Sequence, residues 1–443
     1  MLKLDYDRLS RLLIETGEIT PGPVKWGKVK SCSAGLLRVS GFDYPIGFGA
    51  EISSEDGRNI GAEVVGFDGA MTTLAPFDEH AAIRVDALVK PMANAAEIDV
   101  GSGLIGRIID PLGNPMDDME PIIAESGWPL MGRKSNIIHR GRITEPLDVG
   151  VQSINALLPL GCGQRVAVVA GSGVGKTVLM QQLSSSSQAD VIIVGLIGER
   201  AREVSDFITA SRNSGIAKKM VIVAVPANHS PILRIKAAQR AAAIAEYFRD
   251  QGKNILLMID SLTRVAHAQR EIGLAAGEPP TIKGYPPSAI ALIPQLLERA
   301  GRDTVSGGSI TAIYTVLADG DDLDDPIVDA ARAIADGHII LSRELAEQGV
   351  YPAIDIGKSI SRVAQDIIGR DHAAALQNFR SLWSCYAENR DLISMGAYRA
   401  GSDDLLDQAI ARRYDQLEFM KQAVNEKVSR SRSVEKLVRE YGE

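Results

Sequence analysis

A glycine-rich octapeptide at residues 170–177 constrains the fold of this 443-residue chain more than any other feature. It follows a five-residue apolar run, 165–169, and leads into a helical pattern that begins at Val178. This strand–loop–helix context is the one that a phosphate-binding loop requires. The N–H groups of such a loop, together with the N-terminus of the helix, present partial positive charge to phosphate oxygens.

Each position of this loop has an expected role in holding a nucleotide. The residues predicted to bind ATP here are Gly171, Ser172, Gly173, Val174, Gly175, Lys176 and Thr177. Lys176 would reach the β- and γ-phosphates, and Thr177 would offer its hydroxyl to Mg²⁺. The motif usually begins with Gly, and Ala170 at that place is a mild departure that leaves the later glycines intact. The sequence therefore predicts binding of ATP together with Mg²⁺.

The apolar runs that follow the loop predict a parallel sheet. Runs of strand length occupy 191–197, 221–225, 255–259 and 309–317, and an Ala-rich helical stretch covers 233–249. Strands that alternate with helices form βαβ units, in which helices cover the faces of a parallel sheet. The centre of the chain is therefore predicted to be an α/β P-loop domain.

Two carboxylates follow strands of this predicted sheet and are candidates for catalysis. Asp260 ends the run 255–259, where it would face the phosphate loop and hold the hydration shell of Mg²⁺. Glu199 follows the run 191–197, directly after the phosphate-loop helix, and would orient or deprotonate the attacking water. The pattern alone equally allows Glu199 to be a solvated residue in a charged first helical turn.

The segments before the α/β core show other patterns. Residues 1–20 have apolar positions at helical spacing and predict an amphipathic helix, which either packs on its own domain or docks a partner. Residues 21–95 contain short runs, such as 35–40, 62–66 and 71–77, separated by turn residues. Runs of this length and spacing predict a small β-barrel.

The remaining boundaries complete a multidomain organisation. We assign residues 96–370 to the P-loop ATPase domain, which a turn-rich segment at 106–117 would join to the barrel. Residues 371–443 lack strand patterns and predict a helical C-terminal domain. The last 20 or so residues are highly charged, which suggests a projecting helix or a frayed tail.

Composition excludes several classes of protein. The formal net charge of −8 and the 5% of aromatic residues give no support to nucleic-acid binding. The three cysteines are far apart in the sequence, so no disulfide framework or zinc site is expected. The N-terminal stretch is interrupted by charged residues and is not a signal peptide. No apolar run approaches the ~20 residues that span a bilayer.

The order of the motifs resembles the catalytic subunits of rotary-ATPase-type motors. The matching segments include GRIIDPLGNPMD (106–117), GERAREV (198–204), LLMIDSLTR (256–264), GVYPAID (349–355) and SISRV (359–363). Others are similar to the type III protein export ATPases of flagella and injectisomes: GYPPS (284–288), TVLADGDD (315–322) and DGHIILSR (336–343). The segment ISMGAYRAGSD (393–403) is similar to the flagellar branch. The resemblance implies that the central domain is RecA-like.

The resemblance also implies roles for individual residues. Glu199 matches the water-activating glutamate, and Arg200 and Arg264 match arginines near the γ-phosphate. Tyr351 matches the tyrosine that stacks on adenine, and Arg362 matches the arginine finger that acts on the ATP of a neighbouring subunit. The second aromatic residue that the family places beside adenine has no clear counterpart, and nearby Phe419 is not assigned to that role.

Because one chain carries both Glu199 and Arg362, two copies can build a complete site between them. Head-to-tail contacts of this kind close into rings, and the resemblance implies a homohexamer. It further implies a dimeric negative regulator at the N-terminal helix, a coiled-coil stalk protein in the ring pore, a membrane export gate, and export substrates with their chaperones. The expected location is the cytoplasm, at the inner-membrane export apparatus.

Four other interpretations of the sequence stay open at this stage. Two belong to the same motor class: a virulence injectisome ATPase and a rotary ATP synthase β-type subunit. A Rho-like RNA translocase shares the phosphate-loop core, but the N-terminal region here lacks the basic cluster and the aromatics that stack on bases. A catalytically inactive nucleotide-binding scaffold is opposed by Lys176, Glu199 and Asp260.

Overall fold

The computed structural model describes residues 24–55, 57–78, 80–92, 96–133 and 136–442. The predicted helix at residues 1–20 lies outside these residues. The chain divides into two compact units, one that ends at residue 95 and one that begins at residue 96.

The first unit is a closed antiparallel barrel. Its strands are β1 (Gly27–Ser33), β2 (Leu36–Ser40), β3 (Gly49–Ser53), β4 (Asn59–Asp68), β5 (Met71–Pro76) and β6 (Leu88–Pro91). They pair in the order β1-β2-β5-β4-β3-β6, and β6 closes on β1. Leu37 of β2 lies opposite Leu74 of β5, and both are fully buried in the barrel core. Alternate side chains of these strands point inwards, and the predicted β-barrel is confirmed.

The second unit is built on a large, mostly parallel sheet. Its strands are β7 (Glu97–Val100), β8 (Ile108–Ile109), β9 (Ser126–Pro129), β10 (Arg140–Gly141), β11 (Pro146–Leu147), β12 (Leu160–Gly161), β13 (Arg165–Ala170), β14 (Val191–Glu199), β15 (Met220–Pro226), β16 (Asn254–Asp260), β17 (Gly301–Asp303), β18 (Ser309–Leu317), β19 (Gly337–Ile340) and β20 (Ile360–Ser361). The sheet runs β20-β19-β13-β18-β16-β14-β15-β8. All neighbours from β19 to β8 are parallel, whereas β20 pairs antiparallel with β19. The predicted parallel α/β core is thus confirmed.

Helices cover this sheet and continue to the C-terminus. The α-helices of the described residues are Gln152–Leu157, Lys176–Ser186, Ala201–Asn213, Pro231–Asp250, Leu262–Ala275, Pro287–Leu297, Pro326–Ile334, Arg343–Glu347, Ala364–Ile367, Arg370–Glu388, Arg390–Ser394, Asp404–Met420 and Arg430–Tyr441. Short 3₁₀ turns occupy Ser102–Leu104, Ile137–His139, Ile216–Lys219, Ile282–Gly284 and Asp319–Asp321. Every residue of β14 is buried, as expected for a central parallel strand with helices on both faces.

The segment at 106–117, expected to join the barrel to the next domain, instead lies inside the second unit, which begins at residue 96. Its residues Ile108–Ile109 form β8, which extends the sheet parallel to β15. Arg107 beside this strand donates to the Asp117 carboxylate from Nε at 2.8 Å and from Nη2 at 2.9 Å, and both side chains are largely buried. A bidentate ion pair therefore closes the turn that the sequence indicated.

The C-terminal helices pack on the nucleotide-binding core as one hydrophobic cluster, and the helical C-terminal region is confirmed. Phe379, Phe419 and Tyr441, which come from three different helices, form a group of ring contacts inside it. The last helix, Arg430–Tyr441, neither projects nor frays, since Leu437 is fully buried and Tyr441 nearly so. Among the described residues, no helix is long and apolar enough to cross a membrane.

Candidate active site

The phosphate loop joins the end of β13 to the N-terminus of the Lys176–Ser186 helix. Gly173 and Gly175 adopt φ angles of 79° and 95°, which favour glycine because a Cβ atom is strained there. The backbone thereby folds over the helix N-terminus, where the first N–H groups have no partner within the helix. The loop thus offers N–H groups and the positive end of a helix dipole to an anion.

Three predicted site residues meet at the helix N-terminus. The Lys176 ammonium donates to Oδ1 of Asp260 at 2.5 Å and to Oε1 of Glu199 at 3.1 Å. Asp260 and Glu199 are the last residues of β16 and β14, which are adjacent in the sheet. The carboxyl ends of parallel strands meet at one edge, and this edge also carries the phosphate loop at the end of β13.

The electrostatics of this cluster follow from its burial. All three side chains are at most 10% exposed. Burial alone would lower the pKa of Lys176, but the Asp260 and Glu199 carboxylates outweigh burial and raise it. For Glu199 burial is the largest influence and raises its pKa, although the Lys176 ammonium acts in the opposite direction. The cluster therefore holds a charged lysine beside a carboxylate that binds a proton more readily than an ordinary glutamate.

The two arginines matched to the γ-phosphate have different environments. Arg264 lies against Gly198, where an added Cβ atom would be 3.0–3.4 Å from the Arg264 side chain. Its charge acts to lower the pKa of neighbouring Glu199, and its buried Nε has no hydrogen-bond partner among the described residues. Arg200 caps the Ala201–Asn213 helix, and its side chain is 86% exposed. The structure therefore brings Arg264, but not Arg200, to the carboxylate cluster.

Tyr351 lies over the end of the phosphate loop. A Cβ atom added to Gly175 would be 3.4 Å from Cδ1 and Cε1 of the Tyr351 ring. Tyr351 is 42% exposed as a residue and is therefore accessible to a ligand. Phe419, by contrast, is 1% exposed and packs in the core against Phe379 and Tyr441. Tyr351 is thus placed to contact a bound base, whereas Phe419 is a core residue.

Arg362 lies at the amino ends of the parallel strands, which form the opposite edge of the sheet from the phosphate loop at their carboxyl ends. It follows β20, which pairs with the first residues of β19, and its guanidinium donates to the Arg332 carbonyl at 3.2 Å. At this same edge the Asp336 carboxylate accepts a hydrogen bond from the side chain of Arg165, the first residue of β13. The six residues of β13 place this edge about 17 Å from the phosphate loop, at about 3.3 Å per residue. Arg362 therefore cannot complete the site of its own chain.

The residues at the cluster fit a magnesium ion by their chemistry. The Thr177 hydroxyl, in the first turn of the phosphate-loop helix, and the Asp260 carboxylate supply hard oxygen ligands, which Mg²⁺ prefers alongside water and phosphate oxygens. Across the described part of the chain, no group of three or more His, Cys, Asp or Glu residues is arranged to hold a metal by itself. This is compatible with Mg²⁺, which is usually bound through one or two protein ligands together with a nucleotide.

Sequence reasoning did not identify three residues beside this site. The Thr315 hydroxyl of β18 donates to Oδ1 of Asp260 at 2.6 Å. Asp321 and Arg343 form an ion pair at 2.9 Å over the loop, and a Cβ atom added to Gly171 would be 2.1 Å from Oδ1 of Asp321. Thr315 is one of several polar residues in the strand SITAIYTVL, so no signal in the sequence distinguished it from Ser309 or Thr311.

Comparison with known proteins agrees with this geometry. Residues 150–361 match the model for the nucleotide-binding domain of the ATP synthase alpha/beta family. Residues 368–439 match the C-terminal domain of the type III secretion ATPase EscN. The two matched regions cover the phosphate-loop core and the C-terminal helices described above.

Individual relatives match over nearly the whole chain. The flagellum-specific ATP synthase of Pseudomonas aeruginosa is 47% identical, over 93% of this chain and 92% of the relative. The assembled ATPase EscN from the type III secretion system of enteropathogenic E. coli has a TM-score of 0.88 at 38% identity, over 93% of this chain and 99% of EscN. EscN in complex with its central stalk EscO gives 0.84 at 37% identity, with the same coverage. The chain therefore belongs to the ATP synthase alpha/beta family, in the branch of the flagellum-specific ATP synthases and type III secretion ATPases.

Proposed function

We propose that this chain is the Mg²⁺-dependent ATPase subunit of a flagellar type III protein export apparatus, which uses ATP to assist unfolding and export of flagellar proteins. The observation that supports this most is the division of the site within one chain. Lys176, Glu199 and Asp260 form a cluster at the carboxyl edge of the sheet, whereas Arg362 lies at the amino edge. A complete site then requires two copies.

In this proposal the buried cluster rearranges when ATP binds. Lys176 moves from the two carboxylates to the β- and γ-phosphate oxygens, and the loop N–H groups bind the same phosphates. Glu199 is then free to accept a proton from the attacking water. The water oxygen bonds to the γ-phosphorus as the bond to the bridging oxygen breaks. A bound Mg²⁺ ion would neutralise phosphate charge, and Thr177 and Asp260 are the residues that would hold it.

The remaining predicted residues surround this reaction. Arg264, beside Glu199, supplies positive charge near the γ-phosphate, and Tyr351 stacks on the adenine. Arg362 of one copy approaches the γ-phosphate in the next. Arg200 is exposed in the single chain and would act only when a neighbour or the phosphates draw it in.

The ring that these roles require is a homohexamer. Each copy gives its amino edge to one neighbour and its carboxyl edge to the other, and such head-to-tail contacts close into a ring. The assembled state of the similar ATPase EscN supports this arrangement. EscN in complex with its stalk EscO supports a coiled-coil stalk protein in the ring pore.

The other partners follow from family membership and from the C-terminal segment. Residues 393–403, ISMGAYRAGSD, favour the flagellar branch, and a virulence injectisome ATPase is the alternative because EscN serves such a system. A dimeric negative regulator would bind the N-terminal helix, and export substrates and chaperones would bind the C-terminal helices. Contact with a membrane export gate would place the ring in the cytoplasm at the inner membrane.

A mixing experiment tests the shared site. We expect Glu199→Gln to bind ATP without turnover and Arg362→Ala to lose about 10³-fold or more in rate, since an arginine finger contributes that much. A mixture of the two inactive variants should regain activity. In a random ring about a quarter of the interfaces pair an intact Glu199 with an intact Arg362, so ATPase activity should approach about a quarter of the wild-type value.

The control mixes Glu199→Gln with Lys176→Ala, both of which damage the same half of the site, and no activity should return. Failure of the first mixture to recover activity, although both variants assemble with wild-type subunits, would exclude the shared site.

A further inference from the structure

A short connecting segment from the C-terminal helices returns to the nucleotide site. Residues 421–429 join the Asp404–Met420 helix to the Arg430–Tyr441 helix. Gln422, near its start, is 7% exposed. The backbone N–H of Gln422 donates to the Tyr351 carbonyl at 2.8 Å. The segment is thus hydrogen-bonded to the residue whose ring lies over the phosphate loop.

The Gln422 side chain fixes this segment to the nucleotide-binding core. Its Oε1 accepts from the Gln152 N–H at 2.7 Å, and its Nε2 donates to the Gly150 carbonyl at 2.8 Å. The same Nε2 donates to the carbonyl of Glu426 within the segment at 2.7 Å. One buried amide therefore uses its acceptor and both of its donors, and the backbone at Gln422 is held in one position.

The segment is also bonded to the phosphate-loop helix. Gln182 of that helix, itself almost fully buried, donates from Nε2 to the Ala423 carbonyl at 3.2 Å. Lys427 donates from Nζ to the carbonyl of Ser185 at 2.5 Å. Residues 421–429 thus span the distance between Tyr351 and the helix that carries Lys176 and Thr177.

We propose that Gln422 is a positioning residue for nucleotide binding, which acts by holding Tyr351 against the phosphate loop. The proposal rests on the role proposed for Tyr351 in stacking on the adenine. A half-exposed ring contributes more to affinity when its backbone is already fixed, because less conformational freedom is lost on binding. Gln422 does not touch the reacting phosphate, so its contribution belongs to ATP binding and not to the chemical step.

The test is Gln422→Met, which keeps the length of the side chain and removes its three hydrogen bonds. We expect KM for ATP to rise roughly three- to tenfold, with kcat within about twofold of wild type. A rise of this size corresponds to the free energy that one buried hydrogen bond typically contributes. Rates should be measured at protein concentrations where specific activity no longer rises. Gln422→Asn is a milder variant that should fold if the methionine variant does not, with a smaller rise in KM.

Gln416→Met is the matched control. Gln416 is a fully buried glutamine of the Asp404–Met420 helix, and its Nε2 donates to the Phe379 carbonyl at 2.9 Å, within the C-terminal helices. Its loss should destabilise the fold without changing KM. An equal rise in KM for both variants would show that general loosening of the C-terminal helices is the cause, and would overturn the proposal.

A double-mutant cycle separates this inference from the proposed function. In a Tyr351→Ala background, Gln422→Met should add little to KM, because the group that it positions is gone. Full additivity of the two substitutions would overturn the positioning role. If Tyr351→Ala by itself leaves KM unchanged, the proposed stacking role of Tyr351 fails instead.

Discussion

At the scale of single residues, Glu199 owes its chemistry to the strand that carries it. Sequence patterns allowed either a water-activating carboxylate or a helix-capping one. In the structure Glu199 is the last residue of β14, Arg200 takes the capping position, and the Glu199 carboxylate accepts from Lys176. Burial raises the pKa of Glu199 above its ordinary value, which moves a carboxylate towards the range where it works best as a base.

This shift predicts the acid side of the pH–rate profile. In the proposed mechanism Glu199 accepts a proton, which it can do only when deprotonated, so activity should be lost as pH falls through its pKa, which lies above the ordinary 4.5. We expect kcat/KM for ATP, which reports the free enzyme, to fall with an apparent pKa above 4.5. The measurement is a kcat/KM profile with the folded state followed by circular dichroism in parallel. A profile that stays level down to pH 4.5 in folded protein would contradict the assignment of Glu199 as the base.

At the scale of elements, the long apolar strands could be predicted and the short ones could not. The runs expected at 165–169 and 255–259 agree with β13 and β16 within one residue at each end, because buried parallel strands leave a continuous apolar signature. β8 has two residues, too few for any periodicity, and its place in the sheet is set by tertiary pairing. The packed face of the last helix was visible only as Ser433, Leu437 and Tyr441 at four-residue intervals among many charges.

The site shows the same division between local and long-range information. Lys176, Thr177 and Asp260 belong to short patterns that chemistry makes recognisable. Thr315 lies in a segment that indicated only the branch of the family, and Gln422 belongs to no recognised motif. Their partners are 55 and 71 residues away in the chain, so only the folded structure brings them to the site. Tertiary hydrogen bonds of this kind have no sequence periodicity from which they could be predicted.

The Arg107–Asp117 pair beside β8 provides a prediction about stability. The Arg107 guanidinium lowers the pKa of Asp117 from 3.8 to about 2, so the pair stabilises the fold above pH 3.8 and this contribution is lost as pH falls towards 2. Asp117→Asn should lower the free energy of unfolding by about 3 kcal/mol at pH 7, because it leaves a largely buried guanidinium without its carboxylate partner. Urea titrations at pH 7 and pH 3.5 should show the gap to wild type shrinking at the lower pH.

The control for this prediction is Asp86→Asn in the barrel. Asp86 pairs with Lys30 at 2.6 Å, but both side chains are about half exposed, so solvent screens the pair and little stability should be lost. Equal losses for Asp86→Asn and Asp117→Asn would contradict the role given to burial.

At the scale of the whole molecule, the proposed ring makes activity depend on assembly. An arginine supplied by a neighbour accelerates hydrolysis by about 10³–10⁵-fold, so isolated chains should hydrolyse ATP poorly. We expect ATPase activity per subunit to rise steeply with protein concentration and then level off when rings are complete. Light scattering on the same samples gives the mass of the species present, and a constant specific activity in samples that are clearly monomeric would exclude the shared site.

The placement of Arg362 has a consequence for how energy is used. The sheet holds the Arg362 guanidinium and the phosphate loop of one copy at opposite ends of its strands. If the proposed ring is correct, newly made copies that have not yet joined their neighbours should hydrolyse little of the cell's ATP, and rapid hydrolysis should begin only where a ring has assembled. In that case the rate of ATP hydrolysis would indicate how much of the protein has assembled into rings.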